Sequence, residues 1–124
     1  MLEYLIGSKL ISFDNDGFSV ILPNGEQRDF VFDEDCGKCC GYNELSTELL
    51  ISADELSNNT IITNIEKTDT SECDEDSVKI AFFGECKKIA EVNSLSSSGS
   101  GWCYGACVWV TCKQTNEEET ITSY

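Results

Sequence analysis

The residues best suited to chemistry are eight cysteines: Cys36, Cys39, Cys40, Cys73, Cys86, Cys103, Cys107 and Cys112. Cys36 and Cys39 have the two-residue spacing of a zinc knuckle, and Cys103 and Cys107 could supply a second pair of thiolates. Cys40 breaks that regularity. Cys107 sits where a strand is expected to begin, and an extended strand keeps straight a backbone that a knuckle must turn. No metal is therefore expected, and the thiols read as free, half-buried groups. A Cys-based, zinc-stabilised structural module stays open as an alternative. A redox role for Cys36 and Cys39 lacks its flanking strand–helix pattern.

Asp14-Asn15-Asp16-Gly17 invites a calcium reading, but its glycine stands at the fourth position of an EF-hand frame and Gly25 at the twelfth. The segment reads instead as a hairpin turn. The chain has no histidine, which removes the usual general base of a hydrolytic triad. No phosphate loop or dinucleotide fingerprint is present. No catalytic residue is assigned, and the protein is read as a non-enzyme without a cofactor.

Two features look more like recognition. Arg28 is the single arginine and alternates onto the side of Phe30 and Phe32. A guanidinium on an apolar face calls for an anion, either an internal carboxylate or a ligand phosphate or carboxylate. The segment Gly99-Ser100-Gly101-Trp102-Cys103-Tyr104-Gly105 sets two large aromatics among glycines. They suit stacking on a flat ring, an oligomer contact, or packing on a sheet edge.

The elements that must position these residues are mostly strands. Leu5-Ile6-Gly7 is a short opening turn. Strands are expected over 9–14, 18–22 and 26–33, separated by Asp/Asn/Gly and Pro-Asn-Gly turns. Leu45, Leu49 and Leu50 fit a short helix within 43–51, and 53–56 fits one helical turn. Strand 60–67 follows, then an acidic loop over 68–77. A hairpin over 78–83 and 86–93 turns at Gly84-Glu85. Residues 94–101 read as a flexible Ser/Gly segment, 106–113 as the last strand. The fold class is α+β, mainly antiparallel β, a small single-domain sheet with one or two short helices. The domain spans 1–114, with 115–124 a polar, frayed C-terminal tail.

The chain has 124 residues, 23 acidic against 8 basic, and a net charge of −15. Such a charge repels duplex DNA and anionic membranes, so neither nucleic acid nor membrane is an expected partner. The acids fall in short runs between strands, where solubility explains them better than mimicry of DNA. No apolar run approaches the roughly 18 residues of a membrane span, and no signal peptide is visible. The expected location is the cytoplasm.

With these residues in view, the chain resembles a family of small bacteriophage proteins. Its members open on Leu-Ile-Gly, here Leu5-Ile6-Gly7. They carry an acidic-Cys-Cys motif after the third strand, here Asp35-Cys36-Gly37-Lys38-Cys39-Cys40. They follow a hairpin with a Ser/Asn-Gly-aromatic-aromatic-Gly loop, here Ser100-Gly101-Trp102-Cys103-Tyr104-Gly105. The similarity spans residues 5–110. This chain has two additional residues inside the Cys motif. Some similar proteins are the Thoeris anti-defence sponges, which bind the cyclic ADP-ribose signal of a bacterial immune system and hold it uncleaved, typically as dimers or larger oligomers. The resemblance implies a small cyclic nucleotide-type ligand, a homo-oligomer and a place in the host cytoplasm. Trp102 or Tyr104 would stack on the base, with Phe82 as a further wall. Arg28, helped by Lys88 or Lys113, would meet phosphate, and Asn93 would read a base or ribose edge. The alternative is an acidic interaction module that inhibits a host protein.

Overall fold

The computed structural model describes residues 2–36, 42–58, 60–73, 75–97 and 106–124. After a 3-10 turn at Leu2–Leu5 come β1 (Lys9–Phe13), β2 (Gly17–Ile21), β3 (Gln27–Cys36) and β4 (Tyr42–Leu49). A five-residue helix, α1 (Ala53–Ser57), precedes β5 (Asn64–Asp69). Then follow β6 (Glu75–Gly84), β7 (Lys87–Ser97), β8 (Ala106–Cys112) and β9 (Glu118–Ser123). All pairings are antiparallel, in two sheets ordered β1-β2-β3-β8-β9 and β4-β7-β6-β5. Mainly antiparallel β is the right description. The helical part of the α+β reading shrinks to α1 and one 3-10 turn among the described residues, and the expected single sheet is two sheets packed face to face.

Alternation built most of these strands. β8 buries Ala106, Val108, Val110 and Cys112 and turns Cys107, Trp109 and Thr111 outward. On β3, Phe30 and Phe32 face the core. Phe18 stacks on Phe30 with ring centroids 4.7 Å apart, and Phe82 from the other sheet meets Phe18 edge-on at 5.3 Å. Residues 60–62 close one side. Leu10 N donates to Thr60 O, Ile62 N to Ser8 O and Gly7 N to Ile62 O, so this segment runs along the outer edge of β1 before β5 begins. It took these bonds with the β1 edge rather than with β6, which starts the fifth strand four residues later than alternation suggested.

Three further expectations are corrected. Residues 43–49 are a strand, not a helix: Asn43, Leu45, Thr47 and Leu49 alternate inward against Glu44, Ser46 and Glu48. Two polar residues among the inward four hid the period. β7 runs on to Ser97, because Ser94 and Ser96 point into the core and find partners there. The polar tail is β9, paired with β8, with Ile121 and Thr122 buried; it belongs to the domain. A chain ending at Asn116 is therefore expected to melt at least about 10 °C lower or to lose its cooperative transition. Calorimetric melting of the two chains checks this, and a Tm within about 2 °C of the full chain would show β9 to be dispensable.

Candidate functional site

The strand register sorts the chain into two ends. At one end Cys36 faces Ala106 and Tyr42 faces Ser97. These four residues bound 37–41 and 98–105, so both motif-bearing segments leave and rejoin the sandwich at the same end. Cys39, Cys40, Cys103, Trp102 and Tyr104 lie outside the described residues. Among the described residues no group of three or more His, Cys, Asp or Glu could hold a metal ion. Cys73, Cys86, Cys107 and Cys112 are free thiols.

Beneath that end runs a directed chain of hydrogen bonds. Ser96 Oγ donates to Asn43 Oδ1 at 2.7 Å. Having spent its proton there, Ser96 must accept from Thr122 Oγ1 at 2.8 Å, so Ser94 must donate to Thr122 at 2.7 Å. Asn43 Nδ2 completes the run by donating to Asp35 O at 3.1 Å. The order Ser94, Thr122, Ser96, Asn43, Asp35 links β7, β9, β4 and β3. Its buried hydroxyls are each satisfied, which is what allows polar residues so deep between sheets. Of these residues only Asp35, the acidic member of the Cys motif, stood out in the sequence. Ser/Thr at inward strand positions has no pattern of its own.

The nominated residues do not converge within one chain. Arg28 does share the face of Phe30 and Phe32, but it sits at the far end of β3, eight residues or about 27 Å of strand from Cys36. Its guanidinium is held by Glu26 at 2.5 Å and by the carbonyl of Gln27 at 3.1 Å. Lys113 is beside it at the same end, its N–H bonded to Asp29 O at 2.9 Å. Phe82 is fully buried and makes edge contacts with Phe13 and Phe18, so it is a core ring and not the wall of a ligand site. Lys88 and Asn93 bind Glu91 instead, at 2.9 and 3.0 Å, with Lys79 at 3.5 Å. Asn93 is the one described candidate on the motif-bearing half of its strand.

The far end also carries a cavity of about 380 Å³. Ile51 and Ile89 form buried walls and Ile61 a half-open one. Ile89 is the extra residue in a bulge of β7, between the pairs Phe82–Ala90 and Phe83–Lys88. That bulge points Ile89 and Ala90 inward in succession. Glu55 of α1 and Lys87 of the β6–β7 hairpin form an ion pair at the rim. A side chain at Gly84 would reach within 2.9 Å of Ile89 Cγ2, so glycine lets the hairpin close over this wall.

No family model, curated protein or solved structure matches the chain.

Thr122→Val keeps the shape and deletes the hydroxyl in the middle of the buried chain. It is expected to cost about 1–3 kcal/mol in urea unfolding. Thr122→Ser should cost less, and a valine effect below about 0.5 kcal/mol would remove the network's importance.

Glu91 supplies a pH signature. The Lys88 hydrogen bond, then that from Asn93, holds its carboxyl below the ordinary glutamate value of 4.5. A group lowered in the folded state contributes its stability above the unfolded value and loses it as pH falls through the folded one. Stability should drop on acidification below pH 4.5, and less steeply in Glu91→Gln. Equal slopes in denaturant melts would remove Glu91 from the acid response.

Proposed function

We propose that the protein acts by binding and holding a small cyclic, nucleotide-derived signal of the cyclic ADP-ribose type, without cleaving it, as a phage anti-defence sponge. The observation that supports this reading is the convergence of the two motif-bearing segments at one end of the sandwich. Residues 35–40 and 100–105 are far apart in sequence, and they carry the resemblance. The register brings the residues that bound them side by side. A sponge needs stacking faces, a few hydrogen-bonding groups and a rigid base. Trp102 and Tyr104 supply the faces, and Asn93, whose Nδ2 donates to Glu91, offers its amide oxygen. The hydrogen-bonded run from Ser94 to Asp35 supplies the rigid base.

Phosphate recognition needs cations; the Cys motif itself carries only Lys38, and Arg28 and Lys113 stand at the opposite end of the sandwich. The proposal therefore includes self-association in which one copy brings its Arg28 end to the motif-bearing end of its neighbour. At physiological salt the screening length is roughly 8 Å, so the net charge of −15 does not prevent such contact. Native mass spectrometry and calorimetry with a panel of cyclic nucleotides test this together. Expected are a dimer or larger assembly, saturable binding, and recovery of the intact ligand on heating. Trp102→Ala and Arg28→Ala should each weaken binding at least about tenfold. A mixture of the two variants should regain part of it. A monomer that binds no member of the panel overturns the reading, and a cleaved product would make the protein an enzyme.

A further inference from the structure

The cavity between α1 and the β6–β7 hairpin lies at the opposite end of β7 from Ser97, about 30 Å away along the strand. It is thus separate from the motif-bearing end. Its volume of about 380 Å³ falls within the range of small-molecule sites. At the roughly 30 Å³ of a water molecule it has room for about a dozen non-hydrogen atoms.

The direction of its hydrogen bonds decides what it can hold. Thr60 Oγ1 spends its proton on Glu55 O at 2.6 Å. Thr63 Oγ1 spends its proton on the carbonyls of Gly84 at 3.0 Å and Phe83 at 3.2 Å. Both hydroxyls therefore present lone pairs, not protons, to the cavity. The Glu85 carboxylate has no hydrogen-bond or ion-pair partner among the described residues. Glu55 is bonded to Lys87 through Oε2, which leaves Oε1 open. The donors that line the space are the Asn58 amide and Lys87, and Lys87 is already engaged. Acceptors thus exceed donors, two carboxylates face one ammonium, and three isoleucines supply apolar walls.

We propose that this cavity is a second binding site, for a small protonated amine carried on an apolar body. The body seats against Ile51, Ile61 and Ile89. The ammonium donates to Glu85, to the open oxygen of Glu55 and to the threonine oxygens. An anionic ligand meets two carboxylates and no free donor hydroxyl, so the site discriminates by charge sign. The protein's overall negative field raises the local concentration of such cations. Lys87 is the internal competitor: its ammonium occupies one of the two carboxylates that the ligand needs.

The test uses tryptamine as probe on the full chain, followed by amide chemical shifts at about 0.15 M salt. Tryptophol serves as the neutral near-isostere and indole-3-propionate as the anion. Tryptamine is expected to bind saturably with a Kd below about 1 mM, shifting Thr60, Gly84, Lys87 and Ile89. Tryptophol should bind about fivefold more weakly, and indole-3-propionate should not saturate. Glu85→Gln should weaken tryptamine by about threefold, while Lys87→Gln should tighten it by a similar factor. A purely apolar cavity would show neither change. Absence of saturable shifts at these residues up to about 10 mM tryptamine overturns the proposal, as would equal affinity for the three probes or weaker binding in Lys87→Gln.

Discussion

The contact between Phe82 and the rings of the facing sheet holds the sandwich together. Phe13, Phe18, Phe30 and Phe32 all belong to the five-stranded sheet, and Phe82 enters among them edge-on to Phe13 and Phe18, at 5.5 and 5.3 Å. Edge-to-face rings bury large areas and fix a mutual angle, so this contact sets both the spacing and the orientation of the layers. Its neighbours follow from it. Phe82 faces inward just before the β7 bulge, and the bulge lets Ile89 turn inward beside Ala90. The cavity wall is therefore a by-product of fitting a large ring and a tight hairpin within three residues of each other.

The two ends of the sandwich use different chemistry to stay closed. Near Gly84 the closure is apolar, with isoleucines around a space that stays open. Near Ser97 it is polar, with hydroxyls passing a proton direction from β7 through β9 to β4 and β3. A hydroxyl chain is weaker per residue than an apolar contact, because much of its gain is offset by lost water. It is more specific, since a slip of one strand by one residue would leave several buried donors and acceptors unpaired. Register matters most where 37–41 and 98–105 leave the sheets, and that is where the polar network sits.

This division explains what could be read from the sequence. β1, β2, β8 and the one helical turn at α1 were legible, since apolar alternation and short helical spacing are local signals. The β6–β7 hairpin was legible too, but its turn is Glu85-Cys86, with Gly84 still in β6 and Cys86 at positive φ, one residue later than expected. β4, the end of β7 and β9 were not legible. Their inward positions include Asn43, Thr47, Ser94, Ser96 and Thr122, and such residues read as loop until their partners are known. Those partners lie 26 to 53 residues away. The same limit applies to sites. Arg28 was placed on the correct face by parity, yet its partner Glu26 is two residues back and its distance from the Cys motif is a matter of strand length. The cavity draws on β4's exit, the 60–63 segment and the β6–β7 hairpin, and no window of sequence contains all three.

Charge ties these points together. A chain at −15 has few cations, and the described ones are largely absorbed: Arg28 by Glu26, Lys79 and Lys88 by Glu91, Lys87 by Glu55. Many acids are likewise committed. Asp29 accepts from Ser19, Gln27 and Gln114, which holds its carboxyl below the usual aspartate range. Asp14 Oδ1 accepts from the N–H groups of Asp16 and Gly17, so that loop is a turn held by its own carboxylate. Asn15 caps the β4 edge at Thr47. Selectivity then rests on the few groups left over. At the cavity these are acceptors, which favour cations. For an anion, the described cations Arg28 and Lys113 lie away from the motif-bearing end, which is why the proposed binding of an anionic signal is coupled to a second copy.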